Sequence, residues 1–525
     1  MLNLDFSRDE FIDLIRGQSG PCMVQLMAEI PANCTPLQLY SLIHDNPFTY
    51  LLESVEKESR HARFSFIGAN PEFVLSVSGK SVSIDYPYRN AFVTESVEGL
   101  KNVCESYNEK EKSFTGTIKN SFNPLDAIRS SFVTSRNIPL LNEKGFGKQT
   151  FLGGAIGYLG YDLIYECLLD QSMPFDSKMP DARLMFCQET FLFDHMEDKI
   201  YLVFSPFMRS EDDPAEIYDG ILARASEMQD VLTKASDIQL QPIGEDSNAK
   251  LVGCSMDQEL FEDAVRKSKE HVFDGDIFQV VISRKCEVAS EDSSFQLYRK
   301  LRDINPSPYM YILDLDDVGI IGASPETLMS IHKRQVSTNP IAGTCKRGQN
   351  EEEDLSCASA MLNDEKEKAE HIMLVDLSRN DVRRVAKGGT VEVEDFMKVV
   401  RYSHVQHIES TVVGDLRPEC DQFDAFVALM PAGTLSGAPK VRAMEIIRDI
   451  ESAPRGAYGG GVGYFSWNGD LDFAITIRTI VKQGNKLSIQ AGAGIVADSD
   501  PASEYRETEN KMAAMLRAVG VTDGN

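Results

Sequence analysis

The chain has 525 residues and a formal net charge of -28 at pH 7, with 42% hydrophobic and 26% charged residues. This composition is typical of a soluble globular protein, and the length predicts two or more domains. The negative charge argues against nucleic acid and anionic membrane surfaces as partners, and the absence of an apolar run of about 18 residues argues against a membrane span.

The N-terminal segment MLNLDFSRDEFIDLIRG lacks the basic-then-apolar pattern of a signal peptide. Ten cysteines are scattered along the chain without a C-x-x-C pair, which predicts reduced thiols rather than a disulfide framework or a zinc site. We therefore expect a cytoplasmic protein.

A polar stretch from Lys234 to Gly253 is the clearest candidate for a linker, because it shows no strong hydrophobic period. It predicts one domain over residues 1–245 and a second over residues 255–525. The first of these mixes strands and helices less legibly than the second.

The second domain begins with a predicted amphipathic helix. Ser255 and Gln258 match a capping box, apolar residues follow at helical spacing, and the pattern ends near Gly275. The next segments, IFQVVISRKCEV, YMYILDL and VGIIGASPE, are apolar β-type runs separated by turn residues.

Two hairpin signals follow near the C-terminus, at Asn468-Gly469 and Gly484-Asn485, and they predict an antiparallel meander. A last helix is predicted from Asp500-Pro501, an N-cap residue followed by proline, to about Val519. Helices that flank antiparallel strands indicate an α+β fold.

Two of the predicted helices each carry a pair of neighbouring carboxylates. Glu367 and Glu370 lie three residues apart in NDEKEKAEHIMLVDLSRND, and Glu504 and Glu507 lie three apart in SEYRETENK, with Lys511 one turn beyond. Magnesium prefers oxygen ligands and is often held by one or two carboxylates together with an anionic substrate. A solvated helix face is the alternative for either pair, since the spacing does not show whether the helices meet.

Two glycine-rich or small-residue features suggest close approach by a ligand. PAGTLSGAPKVRAMEII is a loop of small residues before a helix that begins near Pro439, where free N–H groups could receive a carboxylate. Gly492 and Gly494 in AGAGIV would let a ligand approach the backbone. A plain tight turn is the alternative in both places.

A cation and an imidazole complete the candidates. Arg478 lies in the apolar run DFAITIRTIV, on the strand face predicted for Asp472 and Thr476, so it must either bind an anion or form a structural ion pair. His407 in SHVQHIESTVVG is either a titrating group or a structural histidine.

Taken together, these stretches resemble the chorismate-utilising enzymes, and within that family most closely the anthranilate synthase component I group. The matching motifs are GDIFQVV, NPSPYMY, GASPE, PIAGT, EHIMLVDLSRND, GTLSGAPKVRAME, YGGGVGYF and AGAGIV with SEYRETENK. The resemblance covers Met256–Val519 and, more loosely, the first half. It implies a pair of packed antiparallel β-sheets flanked by helices, with the active site in a cleft. The chain departs from the family at Cys345-Lys346, where Arg-Pro is usual, so the conformation of this loop is not implied.

The resemblance implies a role for each motif residue. A Mg²⁺ ion would be held by Glu370 and Glu507, with Glu367 and Glu504 in support. Glu326 of GASPE would be the general acid, with His407 and Thr434 near the ring carboxylate of chorismate. The residues implied in substrate binding are Gly343, Thr344, Tyr458, Arg478, Gly492, Ala493, Gly494 and Lys511.

The implied reaction replaces the C4 hydroxyl of chorismate through attack of ammonia at C2, followed by loss of pyruvate. Many aminodeoxychorismate synthases carry a lysine at the position of Ala342 in PIAGT, and the alanine suits attack by free ammonia. None of the ten cysteines lies in a G-x-C-x-G nucleophile turn. A separate glutamine amidotransferase subunit, in a heterotetramer, is therefore implied as the ammonia source.

The segment LLESVEKESRHARFSFIG resembles the tryptophan-sensing segment of the family, which implies feedback inhibition by tryptophan. The implied tryptophan contacts are Glu53, Ser54, Pro308, Tyr309, Met310, Val462 and Tyr464. A hypothesis from another class is a non-catalytic ligand-binding subunit on the same fold. The complete set of acid, metal ligands and cation favours the enzyme, and a turnover assay would discriminate the two.

Overall fold

The computed structural model describes residues 3–55, 63–169, 171, 179–244, 249–401 and 405–521. These residues form thirteen α-helices. The helices are α1 Arg8–Arg16, α2 Pro36–Ile43, α3 Ala91–Val103, α4 Pro124–Ser131, α5 Leu163–Leu168, α6 Pro214–Ser236, α7 Gln258–Phe273, α8 Ser294–Ile304, α9 Glu351–Asn363, α10 Glu365–Arg383, α11 Gln422–Leu429, α12 Lys440–Ile450 and α13 Pro501–Val519. Two short 3₁₀ helices cover Val133–Arg136 and Gly433–Leu435.

The same residues form twenty-eight strands. In chain order they are β1 Cys22–Val24, β2 Leu26–Pro31, β3 Phe48–Glu53, β4 Phe64–Ala69, β5 Phe73–Ser78, β6 Ser81–Asp85, β7 Cys104–Glu109, β8 Ser113–Ile118, β9 Leu140–Leu141, β10 Gly154–Leu159, β11 Ala182–Cys187, β12 Glu189–Asp194, β13 Lys199–Phe204, β14 Phe207–Met208, β15 Lys250–Cys254, β16 Gln279–Ala289, β17 Tyr309–Leu315, β18 Gly319–Ser324, β19 Thr327–His332, β20 Gln335–Thr338, β21 Ile341–Lys346, β22 Glu392–Arg401, β23 Val405–Asp415, β24 Gly437–Ala438, β25 Gly461–Ser466, β26 Leu471–Ile475, β27 Thr479–Gln483 and β28 Lys486–Ile495.

Two large sheets dominate the architecture. The first has the order β21-β23-β20-β19-β26-β25-β10-β11-β5-β6-β8-β7, with β22 also on β23, and the second has the order β15-β16-β28-β27-β18-β17-β3-β4-β12-β13-β2, with β24 also on β16. Among the described strands the pairings are antiparallel except for the parallel pair β1 and β9. The predicted α+β class is confirmed.

Both sheets pass through both halves of the chain. In the first sheet β10 pairs with β25, and in the second sheet β3 pairs with β17. The segments before and after the polar stretch therefore share two continuous sheets. The division into domains at residues 245 and 255 stays a prediction.

The hydrophobic core has three parts that follow the layers. One cluster joins the facing surfaces of the two sheets, with Tyr50 and Tyr311 from the second sheet against Ile156 and Tyr464 from the first. The other two clusters lie beneath the helices that cover each sheet. Fully burying a large apolar side chain contributes about 1.5–3 kcal/mol, so this packing fixes the relative position of the two sheets.

The start of α7 differs from the sequence prediction. The N-cap is Asp257, whose side chain accepts from the Leu260 N–H, and Ser255 does not form the predicted capping box with Gln258. Ser255 instead accepts a hydrogen bond from the backbone N–H of Lys285 in β16. The Ser255 hydroxyl therefore binds the backbone of β16 rather than the first turn of α7, and local spacing in the sequence does not indicate this contact.

The prediction of reduced thiols is wrong for one pair. Cys254 and Cys286 are joined by a disulfide, while the other eight cysteines are free. The two residues are direct partners across the antiparallel pair β15 and β16. Register between strands, rather than spacing in the sequence, brings the two sulfur atoms together.

A search of the described helices finds none that is both long and apolar enough to cross a bilayer.

Candidate active site

One cleft brings together the motifs that the sequence singled out. It has a volume of ≈ 570 Å³ and lies among α10, α13, β21, β23, β28 and the loop that precedes α12. The predicted site residues that line it are Glu326, Gly343, Thr344, Glu367, Glu370, His407, Thr434, Tyr458, Arg478, Gly492, Gly494, Glu504, Glu507 and Lys511. Ala493 is not among the lining residues, since its side chain lies in the hydrophobic core.

The glycines of β28 allow close packing at the floor of the cleft. A Cβ at Gly494 would come within 2.6 Å of Nε2 of Gln279, and one at Gly492 would come within 3.0 Å of the Tyr458 hydroxyl. Alternation along the strand turns the Ala493 side chain to the opposite face. The small residues of AGAGIV are therefore required by close approach rather than by a turn.

The four carboxylates of the two helices meet in this cleft. Burial, followed by the neighbouring charge of Glu370 and a further contribution from Glu507, raises the pKa of Glu367. Burial and the charge of Glu507 raise the pKa of Glu504. The two pairs line one cleft from two helices, which favours a shared ligand over two separate solvated helix faces.

The donor set suits a magnesium ion that shares its coordination with a substrate. No group of three or more His, Cys, Asp or Glu side chains within the described ranges is arranged to hold a metal by itself. Two pairs of carboxylate oxygens with mutual repulsion nevertheless provide the hard anionic ligands that Mg²⁺ prefers, with waters and substrate oxygens to complete its shell. Lys511 donates to Glu507 Oε1 at 2.6 Å and to the Gly492 carbonyl at 2.9 Å, which holds that carboxylate at the cleft.

The position and the raised pKa of Glu326 suit a general acid. It follows β18, is buried, and accepts a hydrogen bond of 2.9 Å from Oγ1 of Thr434 in the 3₁₀ turn Gly433–Leu435. Burial raises the pKa of Glu326 to about 7, against a smaller lowering by Thr434. A substantial fraction of this carboxyl group is therefore protonated near neutral pH, as a general acid requires.

His407 has a defined tautomer. Its Nδ1 lies 2.9 Å from the Gly343 carbonyl oxygen and 3.0 Å from Oγ1 of Thr344. Because a carbonyl can only accept, Nδ1 carries the proton and Nε2 keeps a lone pair in the neutral ring. Burial, with a contribution from Arg478, lowers the pKa of His407. The imidazole is thus neutral and able to accept a proton.

Arg478 does not lie inside a strand as predicted. It occupies the junction between β26 and β27, where the chain passes from one sheet to the other, with a φ of 50°. The carboxylate of Asp472 accepts from Tyr309 and Gln149 instead, so the predicted shared face is wrong. Burial lowers the pKa of Arg478, and none of the described residues forms an ion pair with it. A half-buried cation without a counter-ion favours anion binding over a structural ion pair.

The PIAGT motif forms one edge of the cleft. It belongs to β21, where Ala342 faces Ile408 and Thr344 faces His407 across the pairing with β23. Ala342 lines the cleft and is nearly buried. The pairing continues through Cys345 and Lys346, so the departure from the family sequence leaves this strand intact.

A second, smaller pocket of ≈ 60 Å³ contains all the residues predicted to bind tryptophan, Glu53, Ser54, Pro308, Tyr309, Met310, Val462 and Tyr464. The Ser54 hydroxyl has no hydrogen-bond partner in the described chain. The Glu53 carboxylate accepts from Arg302 at 2.7 Å and from the Tyr298 hydroxyl at 2.5 Å, so it is already engaged. Residues 56–62 of the predicted segment lie outside the described residues.

Sequence reasoning missed other residues of both sites. Phe66, Lys148 and Gln149 line the smaller pocket, and Gln279 and Gln490 line the cleft. Gln279 lies in GDIFQVV, Phe66 lies in LLESVEKESRHARFSFIG, and Gln490 directly precedes AGAGIV, although none of the three was singled out. No quoted motif contains Lys148 or Gln149. Only the packing of the two sheets brings them to these positions.

Comparison with known proteins agrees with this geometry. Residues 89–517 match the family model of the chorismate binding enzymes. The chain is 43% identical to anthranilate synthase component 1 of Haloferax volcanii, over 98% of this chain and 97% of the relative. It is 40% identical to anthranilate synthase component 1 of Thermococcus kodakarensis, over 93% of this chain and 98% of the relative. Its fold matches the crystal structure of anthranilate synthase component I from Streptococcus pneumoniae with a TM-score of 0.66 and 34% identity, over 88% of this chain and 94% of that one. The chain therefore belongs to the chorismate binding enzyme family, in its anthranilate synthase component I group.

Proposed function

We propose that this chain is the synthase subunit that converts chorismate and ammonia to anthranilate and pyruvate. The observation that carries the proposal is Ala342, which lines the same cleft as the acid Glu326, the cation Arg478 and the carboxylate pairs. An alanine at this edge leaves space for a free nucleophile where an attached amine would otherwise lie. Amination by ammonia is therefore favoured over reactions that use a lysine at this position.

Two kinds of positive charge would bind the carboxylates of chorismate. Arg478, half-buried and without an ion-pair partner in the described chain, is suited to one of them. A magnesium ion held by Glu370 and Glu507, with Glu367 and Glu504 in support, would neutralise and position the other. In a chain of net charge -28, these local cations overcome the general repulsion of an anionic substrate.

Glu326 would donate its proton to the C4 oxygen as that oxygen departs. Its pKa of about 7 matches this task, because the group is partly protonated and still loses its proton readily. The hydrogen bond from Thr434 stabilises the carboxylate that remains.

Elimination of pyruvate requires removal of the proton at C2, and His407 is our candidate base. Its Nδ1–H is engaged by the Gly343 carbonyl, so Nε2 is the basic nitrogen of the neutral ring. Burial, with a smaller contribution from the positive charge of Arg478, lowers the pKa of His407 and favours the neutral imidazole.

We further propose that a glutamine amidotransferase subunit supplies the ammonia, in a heterotetramer of two chains of each kind. The names of the relatives, component 1 in each case, support a second component. The sequence supports it too, since its cysteines lack the nucleophile motif of a glutaminase.

The smaller pocket is proposed to bind tryptophan as a feedback inhibitor. Its volume of ≈ 60 Å³ is small beside the ≈ 570 Å³ of the cleft. The Ser54 hydroxyl offers an unused hydrogen bond, whereas Glu53 can contact an ammonium group only by sharing its bond with Arg302. The Tyr309 hydroxyl lies 3.0 Å from that of Thr327, the residue after Glu326, and this contact provides a route from the pocket to the acid.

The proposal is tested by incubating the purified chain with chorismate, ammonium and magnesium and measuring the blue fluorescence of anthranilate. We expect anthranilate and pyruvate in equal amounts. Accumulation of isochorismate or aminodeoxychorismate would contradict the assignment. Binding of chorismate without turnover would instead support the non-catalytic hypothesis.

A further inference from the structure

A second cavity lies directly behind the active cleft. It has a volume of ≈ 530 Å³ and borders on the edge strand β15 and the N-terminal part of β28. Tyr458 and Gln490 line both this second cavity and the cleft. These two side chains therefore form a thin wall between two spaces of similar size.

The orientation of the Gln490 carboxamide is fixed by a chain of hydrogen bonds. Arg455 donates two bonds to the Glu451 carboxylate, and Glu451 Oε1 accepts from the Ser283 hydroxyl at 2.9 Å. The hydroxyl proton is thus committed to Glu451, so Ser283 Oγ must accept from Gln490 Nε2, which lies 2.8 Å away. If the Gln490 carboxamide were flipped, its Oε1 would face Ser283 Oγ and neither oxygen would have a proton to donate. The flipped orientation is therefore excluded.

This arrangement leaves the carboxamide oxygen without a partner. Gln490 is 8% exposed, and its Oε1 is buried with no hydrogen bond from the described residues. A buried acceptor without a donor costs free energy until a donor reaches it. A small molecule with N–H groups that passes the wall would provide this bond.

The charge of the second cavity selects the form of such a molecule. Among its described lining residues, Lys285, Arg455 and Lys486 are basic and Glu287 is acidic. Burial lowers the pKa of Lys285, which donates to the Pro454 carbonyl. Lys486 pairs with Glu287 at 2.6 Å and Arg455 pairs with Glu451 at 2.6 Å. The described lining therefore offers no unpaired carboxylate to an ammonium ion, and neutral ammonia is the form suited to this cavity. The neutral form is also the nucleophile.

We propose that ammonia enters the cleft from the second cavity, through the wall of Tyr458 and Gln490, with Gln490 Oε1 as its hydrogen-bond acceptor. This inference rests on the proposed function, because it concerns the nucleophile of that reaction. Glu367 and Glu504 line the cleft but not the second cavity, so the entrance for ammonia differs from the part of the cleft that these carboxylates line. The two substrates do not compete for one entrance.

The test compares Gln490→Leu with wild type in ammonium-dependent turnover. Loss of one neutral hydrogen bond predicts that KM for ammonia rises about five- to tenfold, while KM for chorismate stays within about twofold. Gln422→Leu is the matched control, since Gln422 is also buried with an unpartnered Oε1 but lines neither space. We expect this control to retain both KM values.

A second variant addresses the route without altering the wall. Ser488 lines the second cavity but not the cleft, two residues before Gln490 on the same strand. Ser488→Trp should fill the cavity and lower kcat/KM for ammonia several-fold, with KM for chorismate unchanged. If the wild type forms anthranilate and both variants keep the wild-type KM for ammonia, the entrance is overturned and the proposed function stands. A wild type that forms no anthranilate overturns both.

Discussion

At the scale of single residues, burial decides the chemistry of the cleft more than residue type does. Glu326 sits in GASPE without a charged neighbour in the sequence, and its raised pKa arises only when the fold removes it from water. The same burial lowers the pKa of His407 and of Arg478. The sequence motifs identify these residues as candidates, whereas the protonation state of each depends on its burial in the folded cleft.

The role of Glu326 predicts the pH dependence of turnover. Since the protonated carboxyl is the active form, kcat should fall as pH rises through about 7. Glu326→Gln keeps the size of the side chain but cannot donate an acidic proton, so its kcat should be lower by about 10²–10⁴-fold. Steady-state rates between about pH 5 and pH 9 provide the check.

Thr434→Val is the companion variant. The threonine hydrogen bond lowers the pKa of Glu326, so its removal should raise that pKa and move the alkaline limb of the profile to higher pH. An alkaline limb that is identical in wild type and Thr434→Val would show that another group controls it.

The carboxylate pairs predict the metal requirement. Glu370→Gln and Glu507→Gln each remove an anionic ligand, so the magnesium concentration for half-maximal rate should rise at least about tenfold. Glu365→Gln on the same helix is the control, because Glu365 is exposed and does not line the cleft. Wild-type rates at limiting magnesium in both cleft variants would refute the assignment of these ligands.

At the scale of elements, the sequence predicts best where the signal is local. The helix after Asp500-Pro501 and the hairpins at Asn468-Gly469 and Gly484-Asn485 are confirmed, because a cap or a turn needs only adjacent residues. The predicted meander is wrong, because the two hairpins lie in different sheets. The apolar run predicts Arg478 inside a strand, which is wrong because the chain crosses from one sheet to the other at this point. The apolar pattern continues through the crossing and does not mark it. The predicted capping box of Ser255 is also wrong, because its hydroxyl accepts from Lys285 in β16, a residue distant in the sequence.

The strand β17 links the smaller pocket to the acid, which predicts a separable effect on inhibition. Ser54→Phe should fill the pocket and reduce tryptophan inhibition by more than about tenfold, while uninhibited turnover stays near wild type. By reciprocity, chorismate should weaken tryptophan binding in the parent by the factor that tryptophan weakens chorismate binding. Calorimetric titration of tryptophan with and without chorismate measures both. An unchanged tryptophan sensitivity in Ser54→Phe would show that the pocket is misplaced.

At the scale of the whole molecule, the layers were predicted by resemblance, but their connectivity was not. Both large sheets combine strands from the two halves, whereas the small sheet β14-β1-β9 lies wholly in the first half. The disulfide between Cys254 and Cys286 depends in the same way on register between β15 and β16. Such features arise from pairings over long separations, which the periodicity of a single segment does not contain.

The buried carboxylates predict how global stability responds to pH. Burial raises the pKa of Asp162 to about 6, above an ordinary value of about 3.9, so the folded state binds this proton more tightly than the unfolded state. Its stabilising contribution is complete below about pH 4 and is lost as pH rises through about 6. The Tm should therefore rise as pH is lowered from about 8 to about 5, and Asp162→Asn should reduce that rise.

Asp449→Asn is the control for this effect, because Asp449 is exposed. Calorimetry across the same pH range should give the wild-type slope for this variant. Equal slopes for wild type and Asp162→Asn would assign the pH dependence to other groups.

The source of the amino nitrogen tests the central claim most directly. The purified chain is given chorismate, magnesium, ammonium labelled with the heavy nitrogen isotope and unlabelled glutamine, and the mass of the anthranilate is measured. Because the cleft offers an alanine at position 342 and the sequence contains no glutaminase nucleophile motif, we predict that all of the product carries the heavy isotope. Unlabelled anthranilate, or no anthranilate at all, would contradict the account.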